Sequence, residues 1–161
     1  MKWVLLSYRI PREPSTPRIA VWRRLRRLGV AQLGDGLVAL PQDARTREHL
    51  EWVAAQVEEA GGSATLWQAQ AQSSADERQV AEAMAAARSQ EYAQLIEQAR
   101  AGLNLDEASR RRLLRRLRGE LRAVRRRDYF PPVERDLAVF SVDELAAACA
   151  GTDRAAAGSS A

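Results

Sequence analysis

A two-residue turn, Asp35-Gly36, lies between two short apolar runs, and it constrains the fold of this chain more than any other sequence feature. The stretch reads VAQLGDGLVALP. Asp-Gly accepts the positive φ angles of a tight hairpin turn, and such a turn joins two neighbouring antiparallel strands. The stretch therefore predicts a β-hairpin that ends at Pro41.

Before this hairpin, the sequence changes from a strand pattern to a helix pattern. Residues 2–9, with the apolar run Val4–Leu6, are typical of a buried first strand, and a proline-rich loop follows them. Thr16 is expected to cap a first helix, because Pro17 behind it suits the first helical position. Gly29 is expected to end this helix.

After the hairpin, the two patterns recur in the opposite order. Apolar residues at helical spacing predict a second helix over residues 46–60, and a fourth strand is predicted over 64–70. The order strand, helix, strand, strand, helix, strand is the ferredoxin-like βαββαβ arrangement, in which two helices cover an antiparallel sheet. We therefore predict an α+β fold with a ferredoxin-like domain at 1–72.

A helical extension is predicted to follow over residues 73–150. An alanine-rich helix is expected over 76–101 and an arginine-rich helix over 107–127, which together form a helical hairpin. Ser141 stands three residues before a glutamate, the spacing of a capping box, which predicts a short last helix. The segment 151–161 has little to bury and is predicted to be a disordered tail.

The charge of the chain is basic and unevenly distributed. The pI is about 10.0, and Lys2 is the one lysine, so the basicity comes from arginine. Residues 1–30 carry a net charge of +7, residues 31–103 carry −6 and residues 104–136 carry +5. Guanidinium groups pair with phosphates and carboxylates in two-pronged geometry, so this excess favours a polyanion or an acidic partner. A coding bias toward arginine is the competing explanation.

The remaining composition argues against catalysis and against a membrane location. One cysteine, Cys149, excludes an intramolecular disulfide, and no apolar run approaches a membrane span, so a cytoplasmic protein is expected. His49 is expected to be a surface residue, because no nucleophile is evident beside it. We expect no enzyme activity, no metal site and no cofactor, because neither a Cys/His cluster nor a phosphate-binding glycine loop is present.

The amino-terminal sequence resembles a known family. The stretches MKWVLLSYRIPREPSTPRIAVWRRLRRLG, QLGDGLVALP, EHLEWVAAQVEEAGG and ATLW resemble the amino-terminal domain of the chromate-resistance regulator family, ChrB. The resemblance continues more weakly to RRRDYFPP. It implies a regulator that responds to chromate. Because family members often carry a further carboxy-terminal domain, it also raises a separate chain as a partner.

The same layout is similar, more distantly, to the ferredoxin-like middle domain of phenylacetate-degradation repressors and to the small CRISPR-associated integration subunit. In the latter family the first strand typically ends Tyr-Asp, and the aspartate can hold a divalent metal. Here Tyr8 is followed by Arg9, and a cation cannot ligate Mg²⁺. A metal-dependent nuclease is therefore not expected.

Two sets of residues are candidates for binding anions. The arginine-rich helix carries ten arginines against Glu107 and Glu120, a density that repels itself unless an anionic surface or acidic residues of the chain relieve it. The nucleic-acid candidates are Arg23, Arg26 and Arg27 of the first helix and Arg111, Arg115, Arg118 and Arg122 of the later helix. The candidates for chromate or another oxyanion are Arg9, Arg12, Thr16 and Arg18.

The leading hypothesis is a transcriptional regulator that binds DNA through arginine-rich helices. The alternative is a non-enzymatic interaction module whose sheet edge or helical hairpin forms a homodimer or docks a partner protein. The four tryptophans, Trp3, Trp22, Trp52 and Trp67, are expected to be core or interface residues.

Overall fold

The chain, described by a computed structural model, divides into two compact units, Met1–Met84 and Ala85–Ala161. The structure describes the backbone of residues 1–158 and the side chains of residues 1–151. The division falls within one long helix, α3, Ser74–Gly102. The domain boundaries predicted at residues 72 and 150 stay predictions.

The first unit is an α+β arrangement with one four-stranded antiparallel sheet, and the predicted fold class is confirmed at this level. The strands stand in the order β2-β3-β1-β4. The elements, in chain order, are β1 Trp3–Arg9, α1 Ser15–Leu28, β2 Ala31–Gly34, β3 Leu37–Pro41, α2 Ala44–Glu59 and β4 Ser63–Ala69.

One face of this sheet forms the core with α1 and α2. Leu6 of β1 stands opposite Val38 of β3 and Leu66 of β4, and Leu6 and Val38 are fully buried. The helices contribute apolar residues at helical spacing, including Val21 of α1 and Val53 of α2. Burial of each such side chain contributes about 1.5–3 kcal/mol of stability, which fixes the register of the sheet.

The opposite face of the sheet carries apolar side chains of which only some are open to solvent. Leu5, Ala39 and Trp67 stand in one row across β1, β3 and β4. Ala39 is buried and Leu5 is half-buried. Trp67 is 56% exposed, and Leu33 of β2 is also exposed. Trp3 is buried, whereas Trp22 and Trp52 are exposed on the helices. Of the predicted core or interface positions, Trp3 occupies the core, and an interface position for the other three tryptophans stays a prediction.

The predicted hairpin is confirmed, and its turn contacts the end of β1. β2 and β3 pair antiparallel, with an irregular register between Gln32 and Gly34. Gly36 adopts φ +67°, a left-handed conformation that L side chains rarely adopt, and its carbonyl accepts a hydrogen bond from the Tyr8 N–H at 2.8 Å. The turn thus determines where the hairpin meets β1.

The start of α1 differs from the expectation. Pro14 is the N-cap with an extended backbone, and no side chain in the described part of the chain caps the helix. The helix begins at Ser15, directly after Pro14, so Thr16 lies within its first turn. The predicted capping role of Thr16 is wrong.

The start of α2 has the cap that α1 lacks. The Asp43 carboxylate accepts a hydrogen bond from the Thr46 N–H at 2.7 Å, and the Thr46 hydroxyl accepts one from the Asp43 N–H at 2.9 Å. The backbone hydrogen bond from Thr46 holds the pKa of Asp43 below its usual value. This reciprocal cap moves the start of α2 to Ala44, slightly before the predicted position.

The second unit is built on a core formed by three helices. The carboxy-terminal part of α3 packs with α4, Glu107–Arg126, and α5, Glu134–Gly158. The core residues are Tyr92, Leu95, Ile96 and Ala99 of α3, Leu114, Leu117, Leu121 and Val124 of α4, and Ala138, Val142, Leu145 and Cys149 of α5. The predicted helical hairpin of α3 and α4 is thus joined by a third helix, α5, which is longer than the short last helix that the sequence predicts.

The last helix begins earlier than the capping-box spacing predicts. α5 starts at Glu134, two residues after Pro132, so Ser141 lies within the helix and is buried. The predicted cap at Ser141 is wrong because the helix already extends past it. The structure continues α5 to Gly158, across most of the predicted disordered tail, and residues 159–161 lie outside the described part of the chain. The disorder of this tail stays a prediction.

A buried polar network joins α3 to the segment after α4. The fully buried Tyr92 donates its hydroxyl proton to the Asp128 carboxylate at 2.8 Å. Glu91 forms ion pairs with Arg88 at 3.2 Å and with Arg127 at 2.9 Å. Burial and the hydrogen bond to Asp128 raise the pKa of Tyr92, so the phenol stays protonated as a donor.

We expect Tyr92→Phe to lower the free energy of unfolding by about 1–3 kcal/mol, because it leaves the half-buried Asp128 carboxylate without that donor. Ser141→Ala is the matched control: the buried Ser141 hydroxyl has no hydrogen-bond partner among the described residues. Its removal is expected to leave stability unchanged or slightly raised. Urea unfolding followed by circular dichroism measures both, and equal losses in the two variants would contradict the role given to Tyr92.

Candidate nucleic-acid interface

Arginines recur along one side of α4 at helical spacing. Arg111, Arg115, Arg118, Arg122 and Arg125 are separated by four, three, four and three residues, and all are exposed. At 3.6 residues per turn this spacing places them on one face, over a length of about 21 Å. We call these five residues the arginine stripe. All four predicted nucleic-acid candidates of this helix lie on it, and Arg125 extends it.

Internal carboxylates neutralise only part of this helix. Arg111 pairs with Glu107, Arg116 pairs with Glu120 at 2.8 Å, and Arg127 pairs with Glu91. Among the described residues, no carboxylate forms an ion pair with the stripe residues Arg115, Arg118, Arg122 and Arg125. Most of the stripe is therefore available to an external anion.

The other side of α4 holds the stripe in place. Leu114, Leu117, Leu121 and Val124 are buried in the three-helix core. At the start of the helix, the Asp106 carboxylate accepts a hydrogen bond from the Ser109 N–H at 3.0 Å, and hydrogen bonding to Ser109 lowers the pKa of Asp106. The stripe is therefore displayed by a helix with a fixed rotation and a defined start.

Arg110 of the same helix forms hydrogen bonds within the protein. Its guanidinium donates to the carbonyl of Leu105 at 2.9 Å and to the carbonyls of Leu103 and Ala148 at 3.3 Å each. These bonds tie the start of α4 to the preceding loop and to α5. Arg110 is therefore set apart from the arginines of the stripe.

A groove of about 610 Å³ runs between α4 and α5 beside the stripe. Arg111, Arg115 and Arg118 line it together with Arg112. Cys149 also lines the groove and is only 7% exposed, so its thiol is buried. Four guanidinium groups around one groove make it an electropositive surface.

The first helix carries a second group of exposed arginines. Arg23, Arg26 and Arg27 are exposed on α1, and none of them forms an ion pair with a described residue. The Arg26 guanidinium stacks over the Trp22 ring at 4.8 Å, and Arg24 lies over the Trp52 ring at 5.6 Å. These cation–π contacts orient the side chains while leaving their donors exposed.

The predicted oxyanion residues are brought together in part. Arg12 and Arg18 line an open depression of about 570 Å³ at the start of α1, together with Ser15. Arg9 lies at the end of β1, and neither Arg9 nor Thr16 lines this depression. Two of the four candidates therefore share one surface.

Among residues 1–151, no three His, Cys, Asp or Glu side chains are placed to hold a metal ion. His49 is half-buried on α2, which differs from the expected surface position. None of the helices in the described part of the chain has the length and apolar character that crossing a membrane requires.

Comparison with known proteins agrees with the resemblance noted in the sequence. Residues 18–104 match the family described as Protein ChrB, N-terminal. The chain is 35% identical over 134 residues to Protein ChrB of Cupriavidus metallidurans, a match that covers 80% of this chain and 40% of that relative. The chain thus spans less than half the length of the curated relative. No solved structure matches the chain significantly.

Proposed function

Because the chain belongs to the family of the N-terminal domain of Protein ChrB, we propose that it is the DNA-binding part of a transcriptional regulator of chromate resistance. We also assign its first unit to the ferredoxin-like class. The element order β1-α1-β2-β3-α2-β4 and the strand order β2-β3-β1-β4 support this assignment.

The observation that carries the proposal is the arginine stripe. Like charges three and four residues apart destabilise a helix by about 0.2–0.5 kcal/mol for each pair. Arg115, Arg118 and Arg122 repeat this spacing without a carboxylate partner among the described residues. Phosphate oxygens would relieve the repulsion and would accept charge-assisted hydrogen bonds from the guanidinium forks.

DNA explains the stripe better than a single small anion does. Duplex DNA carries one negative charge per roughly 1.7 Å of its axis, so a stripe about 21 Å long meets several phosphates at once. Arg23, Arg26 and Arg27 of α1 supply further phosphate contacts in this proposal. Such contacts position a protein on DNA. The proposal places the protein in the cytoplasm.

Fluorescence anisotropy tests this function with the DNA that precedes the gene and with a scrambled fragment of equal length. We expect the native fragment to bind at least about tenfold more tightly, a threshold set below the usual excess of roughly 10³–10⁷ of specific over nonspecific binding. Chromate is expected to weaken this binding, whereas sulfate, an oxyanion of equal charge, is the control and is expected to have little effect.

Absence of binding to either fragment at low salt would contradict the proposal. The interaction-module alternative would then gain support, with the open sheet face around Leu33 and Trp67 as the candidate contact surface. Equal binding to both fragments would contradict sequence-specific regulation. It would still agree with phosphate contacts by the arginines, which do not depend on sequence.

A further inference from the structure

A cleft of about 630 Å³ lies in the first unit, where α1 passes the β2–β3 turn. Its volume lies within the range of roughly 300–1,000 Å³ that is usual for small-molecule sites. The polar and aromatic residues that line it come from four separate parts of the fold: Tyr8 of β1, Arg18, Trp22 and Arg23 of α1, Gln32 of β2 and Asp35 of the turn.

An aromatic ring is available in this cleft. The Trp22 side chain is 52% exposed although it is one of the largest apolar groups in the chain. The Arg26 guanidinium stacks over its ring, which limits the rotation of the indole. A partly immobilised and exposed indole is suited to stacking against the flat ring of a ligand.

The charged groups of the cleft complement an anion with hydrogen-bonding substituents. Arg18 and Arg23 form no ion pair with any described residue, so their guanidinium forks are available to a phosphate. Asp35 is the opposing carboxylate, and it and Gln32 can accept hydrogen bonds from hydroxyl or amino groups. The three charged side chains leave the cleft with a net positive charge.

Tyr8 adds a neutral hydroxyl to this set. Its side chain is partly buried, and burial raises the pKa of Tyr8, so the phenol remains protonated at neutral pH. A neutral phenol can donate a hydrogen bond to an anion without repelling it. It can also accept one from the ligand.

We propose that this cleft binds a nucleotide-type ligand, whose flat ring stacks on Trp22 and whose phosphate pairs with Arg18 and Arg23. Asp35 and Gln32 then receive the amino or hydroxyl groups of the ring and sugar. This site contains no residue of the arginine stripe, and it shares Arg23 with the DNA contacts proposed for α1. Its test contains no duplex, so it can fail or succeed independently of the proposed function.

NMR of the indole N–H groups tests the proposal on the full chain, with adenosine monophosphate as the probe. Trp22→Phe assigns the Trp22 signal. We expect the monophosphate to shift this signal, and we expect the shift to reach a plateau as the concentration of the monophosphate rises. Adenosine, which lacks the anion, and ribose 5-phosphate, which lacks the ring, are each expected to bind at least about tenfold more weakly.

The two exposed tryptophans of the helices provide a matched control. Trp22→Ala lacks the reporting indole, so the affinities of the variants are measured by isothermal titration calorimetry. It is expected to bind the monophosphate about tenfold more weakly, because stacking on the indole is lost. Trp52 is 57% exposed and also carries a stacked arginine, but it does not line the cleft, so Trp52→Ala should change the affinity less than twofold. Arg18→Gln with Arg23→Gln should weaken the monophosphate and leave adenosine unaffected.

A free nucleotide and an unpaired nucleotide of a strand share this chemistry. If a short single-stranded deoxyadenylate oligomer binds with higher affinity than the monophosphate, as read from the Trp22 signal, the ligand is an unpaired nucleotide of a strand. If the monophosphate binds with higher affinity, the ligand is a free nucleotide. An unchanged Trp22 signal with both probes would overturn the proposal, as would equal weakening by Trp22→Ala and Trp52→Ala.

Discussion

Replacing Arg111, Arg115, Arg118 and Arg122 together by glutamine is expected to weaken DNA binding at least about 100-fold at low salt. Each charge-assisted hydrogen bond contributes about 1.5–3 kcal/mol, so a factor of 100 allows for partial compensation by the remaining arginines. Glutamine keeps the helix propensity high. The replaced side chains are exposed, so the fold should be retained.

A second variant separates this specific effect from a general loss of positive charge. Arg45, Arg47, Arg78 and Arg100 are also exposed, and none belongs to the stripe or to α1. The exposed ion pair between Arg47 and Glu51 contributes little stability. Four glutamines at these positions change the net charge equally but should weaken binding less than about tenfold.

Anisotropy at several salt concentrations compares the two variants directly. The stripe variant should also lower the slope of log K against log salt by about 3.6, because each phosphate contact contributes about 0.9. Equal losses of affinity in both variants would mean that DNA senses the overall charge. That result would remove the stripe from the binding surface.

Gly36→Ala is expected to lower the free energy of unfolding by about 2–4 kcal/mol. The left-handed conformation at φ +67° costs an alanine about 1–2 kcal/mol. In addition, its Cβ would overlap the carbonyl oxygen of Tyr8, a backbone atom that cannot rotate away. Movement of the turn would also break the hydrogen bond between the Tyr8 N–H and the Gly36 carbonyl.

Gly34→Ala is the matched control in the same hairpin. No heavy atom of the described residues lies within 4 Å of a Cβ built at Gly34, and its φ lies outside the left-handed region. We expect a change of less than about 0.5 kcal/mol, as is usual at an exposed position without special contacts. Thermal unfolding of both variants measures the difference, and similar losses would contradict the role assigned to the Asp35-Gly36 turn.

Local signals predicted the secondary structure of the first unit well. The Asp-Gly turn, the helix stop at Gly29 and the alternation of apolar residues act within a few positions of the chain, so they can be read without knowing the fold. The boundaries were less certain. Thr16 and Ser141 have the sequence pattern of caps, but α1 already begins at Ser15, after its N-cap Pro14, and α5 begins at Glu134, seven residues before Ser141.

The candidate site was predictable where one helix forms it. Arg111, Arg115, Arg118 and Arg122 share a face because of helical periodicity, and the same spacing could have included Arg125. The Trp22 cleft was not predictable in this way. It combines α1 with residues of β1 and the turn, and only the packing of these elements brings Tyr8 and Asp35 to the same side.

The salt dependence of DNA binding by the unmodified protein tests the central claim most directly. If the stripe and the α1 arginines contact phosphates, log K should fall linearly with log salt, with a slope of about −4 or steeper, as roughly five or more contacts require. A slope near zero, or no binding at the lowest salt, would contradict a role for these arginines in holding DNA.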